Sequence, residues 1–213
     1  MWPVNAGQAT PSRLRLIIVL GLLSTFGPLS LDLYLPVLPE LADELQASAS
    51  GSQLTITTCL IGLATGQLIA GPLSDRLGRR RPLITGLTIF VVASAACAFA
   101  PSVEILIVIR LVQGMAGAAG LVVARAVVRD LYGGRDLVIF FSRLLLISGL
   151  APVLAPVLGG QLAKIMSWRG MFLVLAGFGA VLLLAGLLGV PETLARNGAY
   201  KADGRPRSAT SPC

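Results

Sequence analysis

Apolar runs of about 20 residues, the length needed to cross a bilayer core of roughly 30 Å, alternate along this chain with short polar bursts. The first run follows Arg13 and Arg15 and lasts to about Pro36. Others follow at approximately Leu54–Leu73, Leu83–Ala100, Val103–Val128, Val138–Ala163 and Met171–Val190. The runs are continuous rather than alternating with a period of two, so they predict helices and not barrel strands. The expectation is an all-α membrane protein with six transmembrane helices. The first run is longer than a secretory apolar segment and has no small-x-small cleavage site after it, so it reads as a retained helix. Residues 1–13 read as a flexible leader, 14–190 as the six-helix domain, and 191–213, polar and without apolar periodicity, as a disordered tail.

Composition supports this. Of 213 residues, 55% are hydrophobic and 13% charged, and the mean hydropathy is +0.83. The net charge of +7 is spread in short bursts between apolar runs, which marks topology and not a nucleic-acid surface. The leader, the Asp75–Arg81 turn, the Arg129–Arg143 connection and the tail with Arg196, Lys201, Arg205 and Arg207 are basic. The Val37–Ser52 loop instead carries Glu40, Asp43 and Glu44 and no basic residue. Both termini are therefore expected in the cytoplasm, with the chain multi-pass in the inner (plasma) membrane; Lys164 and Arg169 run against this pattern.

Several chemistries drop out. Histidine is absent, which removes Ser–His hydrolysis, His-ligated metal and His proton relays. Cys59 and Cys97 lie inside apolar runs and Cys213 ends the chain, a spacing without a zinc or disulfide pattern. There is neither a nucleophile–base set nor a carboxylate cluster for a metal, so no enzyme, cofactor or metal is expected.

Two charges inside the spans need a reason. Counting 1.5 Å per residue, Arg110 lies roughly 13 Å inside its span, near the bilayer middle. An arginine there costs about 2.5–3.5 kcal/mol on insertion scales and is expected to face an acid or a polar cavity. Asp32 lies about 6 Å below its boundary by the same rise and is the leading candidate proton acceptor, because no other acid lies at comparable depth. Elsewhere, glycines at 62 and 66, at 114, 117 and 120, and at 177, 179 and 186 predict close helix approach. Pro152 and Pro156 share a face of the fifth span, ahead of Gly159 and Gly160, and are expected to bend it.

The decapeptide Gly71-Pro72-Leu73-Ser74-Asp75-Arg76-Leu77-Gly78-Arg79-Arg80 resembles the signature between the second and third helices of the major facilitator superfamily, and matches it at every prescribed position. Arg110-Leu111-Val112-Gln113-Gly114 looks like that superfamily's fourth-helix motif. Residues 151–160 are similar to its antiporter motif, with Ala155 in place of the usual glycine. Asp32-Leu33-Tyr34-Leu35-Pro36, Ser167-Trp168-Arg169 and Pro191-Glu192-Thr193-Leu194 look like the bicyclomycin and chloramphenicol resistance branch of drug–proton antiporters.

The resemblance implies one half of a major facilitator fold, the N-terminal one, with a 3+3 inverted repeat. It also implies alternating access, with proton entry driving export of small amphipathic drugs. Asp32, Arg110 and Gln113 would then serve the proton and substrate cavity. Gly71, Asp75, Arg76, Gly78, Arg79 and Arg80 would form a cytoplasmic latch, and Pro152, Pro156, Gly159 and Gly160 would mark the antiporter helix. The expected partners are substrate, protons, the lipid bilayer and a second six-helix half, with no nucleic acid. The alternative is a truncated, non-transporting fragment or a half-subunit that needs that second half.

Overall fold

The computed structural model of the chain describes residues 13–189; the expected tail, Val190 and the leader before Arg13 lie outside the described residues. Helix α1 (Arg13–Asp32) leads through a 3-10 turn (Leu35–Val37) into α2 (Leu38–Glu44). Then follow α3 (Ala49–Leu77), α4 (Arg80–Ala98), α5 (Val103–Leu131), α6 (Gly134–Leu162) and α7 (Trp168–Gly189). There is no strand among the described residues. Among the described residues helices α3 to α7 are long and apolar enough to cross a membrane, and the bent first segment, α1 through α2, counted as one span, brings the number to six.

Four expectations are corrected by this geometry. The first span does not end at Pro36. Its two arms, Ile18–Gly27 and Leu29–Glu44, meet at a 47° bend at Pro28, which has no amide hydrogen to give the helix ladder. The acidic stretch read as loop is the helix α2, where proline is accommodated in the first turn and Val37 and Leu41 are buried. The Asp75–Arg81 turn shrinks to Gly78 and Arg79, because α3 runs on through the charged residues to Leu77. Gly78 ends that helix at φ 90°, a left-handed value that a side chain would strain. The Arg129–Arg143 connection likewise shrinks to Tyr132 and Gly133. Charge marks a helix end projecting past lipid as readily as a loop.

Packing follows the repeat. With spans numbered one to six from the bent first segment to α7, span two packs on four and one on five, three packs on four and one on six, and three packs on six. Exchanging one with four, two with five and three with six maps these main pairs onto one another, as a 3+3 repeat requires. The tightest seam joins α3 and α5. A Cβ at Gly114 would run into the carbonyl oxygen of Cys59, and one at Gly62 into that of Leu111. Small residues permit such contact where no hydrophobic effect drives helices together.

The core has a layered order. One apolar cluster holds Leu20, Leu23, Phe26, Leu83, Leu87, Phe90, Val123 and Val127, toward the end of the bundle that carries Gly78. The other holds Tyr34, Val37, Leu41, Cys97, Leu106, Trp168 and Phe172, toward the opposite end. Between them, on α1, α4 and α5, lie the buried polar residues Ser30, Ser94, Arg110 and Gln113.

We expect Gly114→Leu to lower the melting temperature in detergent sharply, overpacking of this kind costing about 1–3 kcal/mol or more. Gly177→Leu, at a position with nothing within 4 Å, should leave it unchanged. Thermal release of the buried Cys59 and Cys97 thiols to a fluorogenic maleimide gives both values.

Candidate functional site

The polar layer is built around Arg110, which is 0% exposed. Its Nη1 donates to Gln113 Oε1 at 2.7 Å and to the Ser30 carbonyl of α1 at 3.3 Å. Gln113, one turn on along α5, donates in turn to Ser94 Oγ on α4 at 2.7 Å. Nε and Nη2 of Arg110 find no hydrogen-bond partner.

No carboxylate closes on the guanidinium among the described residues. It lies instead over the Tyr34 ring, 4.3 Å from its centroid, and 5.4 Å from that of Phe172. Aromatic faces carry negative quadrupole density, and a desolvated cation gains about 2 kcal/mol or more from one. That offsets part of the burial penalty but leaves two donors unpaired, at about 1–3 kcal/mol or more for a charged group. Arg110 is thus closed off by aromatics in this conformation, and the acid or polar cavity expected beside it is not in contact with it. Tyr34 is itself fixed by its hydroxyl, 2.7 Å from Thr55 Oγ1 of α3.

Asp32 is the last residue of α1 and is half-buried, with no ion pair to Arg110 among the described residues. The two charges share a backbone arrangement. A Cβ at Gly159 of α6 would meet the carbonyl oxygen of Leu33, the residue after Asp32, as one at Gly62 meets that of Leu111, the residue after Arg110. Higher along the α1–α6 seam, Ser24 and Ser148 hydroxyls lie 2.8 Å apart. In the second half of α6 the buried residues are Ala151, Ala155 and Gly159, whereas Pro152 and Pro156, beside them on the helix, are exposed and Gly160 is half-buried. The helix runs unbroken through both prolines. Ala155, where the similar motif has glycine, is fully buried.

At the Gly78 end, Arg79 gathers three oxygens: Ser74 Oγ at 2.9 Å, Asp75 Oδ1 at 2.5 Å and Asp130 Oδ2 at 2.9 Å. Asp130 is in the last turn of α5, so this network ties the α3–α4 turn to the span that carries Arg110. Arg80 donates to the Leu187 carbonyl at 2.9 Å, anchoring the turn to the last residues of α7. Asp75 and Arg76 are exposed and a Cβ at Gly71 would meet nothing within 4 Å; none of the three meets the Arg110 layer.

Sequence reasoning missed Tyr34, Phe172 and Asp130. The first two look like ordinary core aromatics; Asp130 is a lone acid beside Arg125 and Arg129, and that oddity was the available signal. Among the described residues no group of three His, Cys, Asp or Glu is placed to hold a metal.

Known proteins resemble the chain throughout. Residues 20–211 match the family described as Major Facilitator Superfamily. An uncharacterized MFS-type transporter YdgK of Bacillus subtilis is 46% identical over 184 residues, covering 85% of this chain and 46% of that protein. A bicyclomycin resistance protein homolog of Haemophilus influenzae is 34% identical, covering 83% and 44%. A chloramphenicol resistance protein of Pseudomonas aeruginosa is 37% identical, covering 78% and 39%. The chain therefore spans about half the length of these relatives. Among solved structures, the proton:xylose symporter XylE superposes with a TM-score of 0.76 at 16% identity, over 88% of this chain and 47% of that one. The human organic anion transporter MFSD10 gives 0.68 at 22% identity, over 87% and 50%.

Asp75 is 67% exposed on its side chain, against 18% for Asp130, and exposed pairs contribute under about 1 kcal/mol. Asp130→Asn should therefore lower the melting temperature more than Asp75→Asn, a ranking that differential scanning fluorimetry checks directly.

Proposed function

The chain belongs to the Major Facilitator Superfamily, and from that premise we propose that it is one six-helix half of a drug–proton antiporter working by alternating access. The observation that carries the reading is Arg110: a fully buried guanidinium with two unpaired nitrogens, on the helix next to the one ending in Asp32. A membrane protein keeps such a charge when it serves transport. In this reading Asp32 takes up and releases the proton. Arg110 and Gln113 offer their donors to substrate or to the ionised Asp32 once the halves rock apart, and the Asp75, Arg76 and Arg79 turn latches the cytoplasmic end. Both termini are cytoplasmic. The substrate class is that of the named relatives, small amphipathic drugs such as bicyclomycin and chloramphenicol, and the cycle needs no cofactor beyond the proton gradient.

The partner in this proposal is a second six-helix half. Only 17% of the apolar stretch of α6 is buried within the bundle, against 56% for α5. The α6 face with Pro152, Val153, Pro156 and Val157 and the α3 face with Leu68 and Ile69 are exposed. That bare α6 face also favours a second reading, in which this chain alone moves nothing.

Both readings are tested by joining residues 1–190 to the second half of the Bacillus subtilis relative and measuring chloramphenicol uptake by everted vesicles under a proton gradient. The chimera should accumulate drug, its Asp32→Asn variant should fall to the background, and the chain without a second half should not transport. Undiminished uptake by the Asp32→Asn chimera would reject Asp32 as the coupling acid.

A further inference from the structure

The end of the bundle opposite Gly78 carries a side-chain network, built on the Ser167-Trp168-Arg169 stretch, to which the proposed cycle gives no role. Arg169, at the second position of α7, donates through Nε and Nη2 to Glu44 Oε1 at 3.1 and 2.8 Å. Its Nη1 donates to the carbonyls of Ala98 and Ala100, at 3.0 and 3.3 Å, where α4 ends. Its guanidinium lies 4.3 Å from the Trp168 ring centroid, and Trp168 Nε1 donates to the other Glu44 oxygen at 2.5 Å. Three element ends, those of α2, α4 and α7, are joined at one residue. The pairing also accounts for a basic residue on the side where the topology pattern disfavours one.

What lies beneath the network is the pair of rings that closes over Arg110. Trp168 is fully buried and meets Phe172 edge-on at 6.1 Å. Phe172 lies 5.5 Å from Tyr34, and those two rings flank the guanidinium of Arg110. Val37 and Leu41, on the strap that ends at Glu44, complete the same apolar cluster with Cys97 and Leu106. Glu44 and Arg169 keep 45% and 36% of their side chains exposed, so the network stands between solvent and an otherwise apolar plug.

We propose that Glu44, Trp168 and Arg169 form a clasp that positions the Tyr34–Phe172 aromatic box and keeps water at that membrane surface from reaching Arg110. These are positioning residues: they touch the rings, or the elements that carry the rings, and not Arg110. A helix pair held only by lipid-facing van der Waals contact opens locally with little restraint. A charge-assisted pair with Nε and Nη2 on one Glu44 oxygen, which also ties down two carbonyls at the end of α4, raises the free energy of that opening. In the conformation seen here the clasp thereby seals Arg110 from that surface, and, resting on the transport reading above, it must release when the cycle opens toward that side.

Cys97 reports on the plug, being 0% exposed beneath it. In the full chain carrying Cys213→Ser, a membrane-impermeant maleimide is applied to right-side-out and to inverted vesicles. The parent should label slowly in both. Arg169→Ala should label Cys97 roughly tenfold faster, as the loss of hydrogen bonds to a charged group implies, and from one vesicle orientation only. Glu44→Gln, which spares the Arg169 contacts to Ala98 and Ala100, should give a smaller increase from that same side and stands in if Arg169→Ala fails to fold. Labelling confined to right-side-out vesicles also supports the topology proposed above; labelling confined to inverted vesicles keeps the clasp and overturns that topology. The clasp is refuted if neither variant exceeds the parent from a single side, or if both label equally from the two sides.

Discussion

A guanidinium placed in a bilayer without a carboxylate beside it must be held by weaker partners, and the bundle supplies them from three spans. Ser30 and Tyr34 follow the bend of the first span, Gln113, itself held by Ser94 of α4, lies one turn from Arg110 on α5, and Phe172 is on α7. Each is a single neutral contact, so the charge stays incompletely satisfied. The apolar clusters on either side of this layer fix it in place. Because buried ionic groups often contribute little net stability, or reduce it, the arrangement makes sense as a poised group and not as a structural rivet.

The same α5 helix carries Asp130 at its far end, in the hand of Arg79. The polar layer and the charged turn are therefore two ends of one rigid element, packed tightly on α3 through Gly62 and Gly114. Close-packed seams shift as bodies and do not deform continuously, so one packed element joins the turn to the depth of Arg110. On the α1 side the corresponding contact is Gly159 on the carbonyl after Asp32, which links α6, the most exposed span, to the acid.

Much of this was legible in the sequence. Continuous apolar runs gave the number of spans, and the charged decapeptide with Arg110-Leu111-Val112-Gln113-Gly114 led to the family that residues 20–211 match. What could not be read was how charged stretches fold at helix ends. Asp75 and Arg76, Arg129 and Asp130, and Glu40 to Glu44 all continue helices, because a helix extending past lipid tolerates charge as well as a loop does. Nor does a linear pattern distinguish a core aromatic from one that faces a cation, so Tyr34 and Phe172 were invisible as partners of Arg110. The acid or polar cavity expected beside that arginine came from a general rule about intramembrane charge, and quadrupole and carbonyl contacts are what the structure places there.

Replacing Arg110 with methionine, similar in length and uncharged, separates the two roles that the residue could play. If Arg110 is retained for transport at the expense of stability, the Arg110→Met chain melts close to or above the parent, and the Arg110→Met chimera loses proton-driven drug uptake entirely. A variant that collapses on solubilisation, or one that moves drug as fast as the parent, contradicts the account.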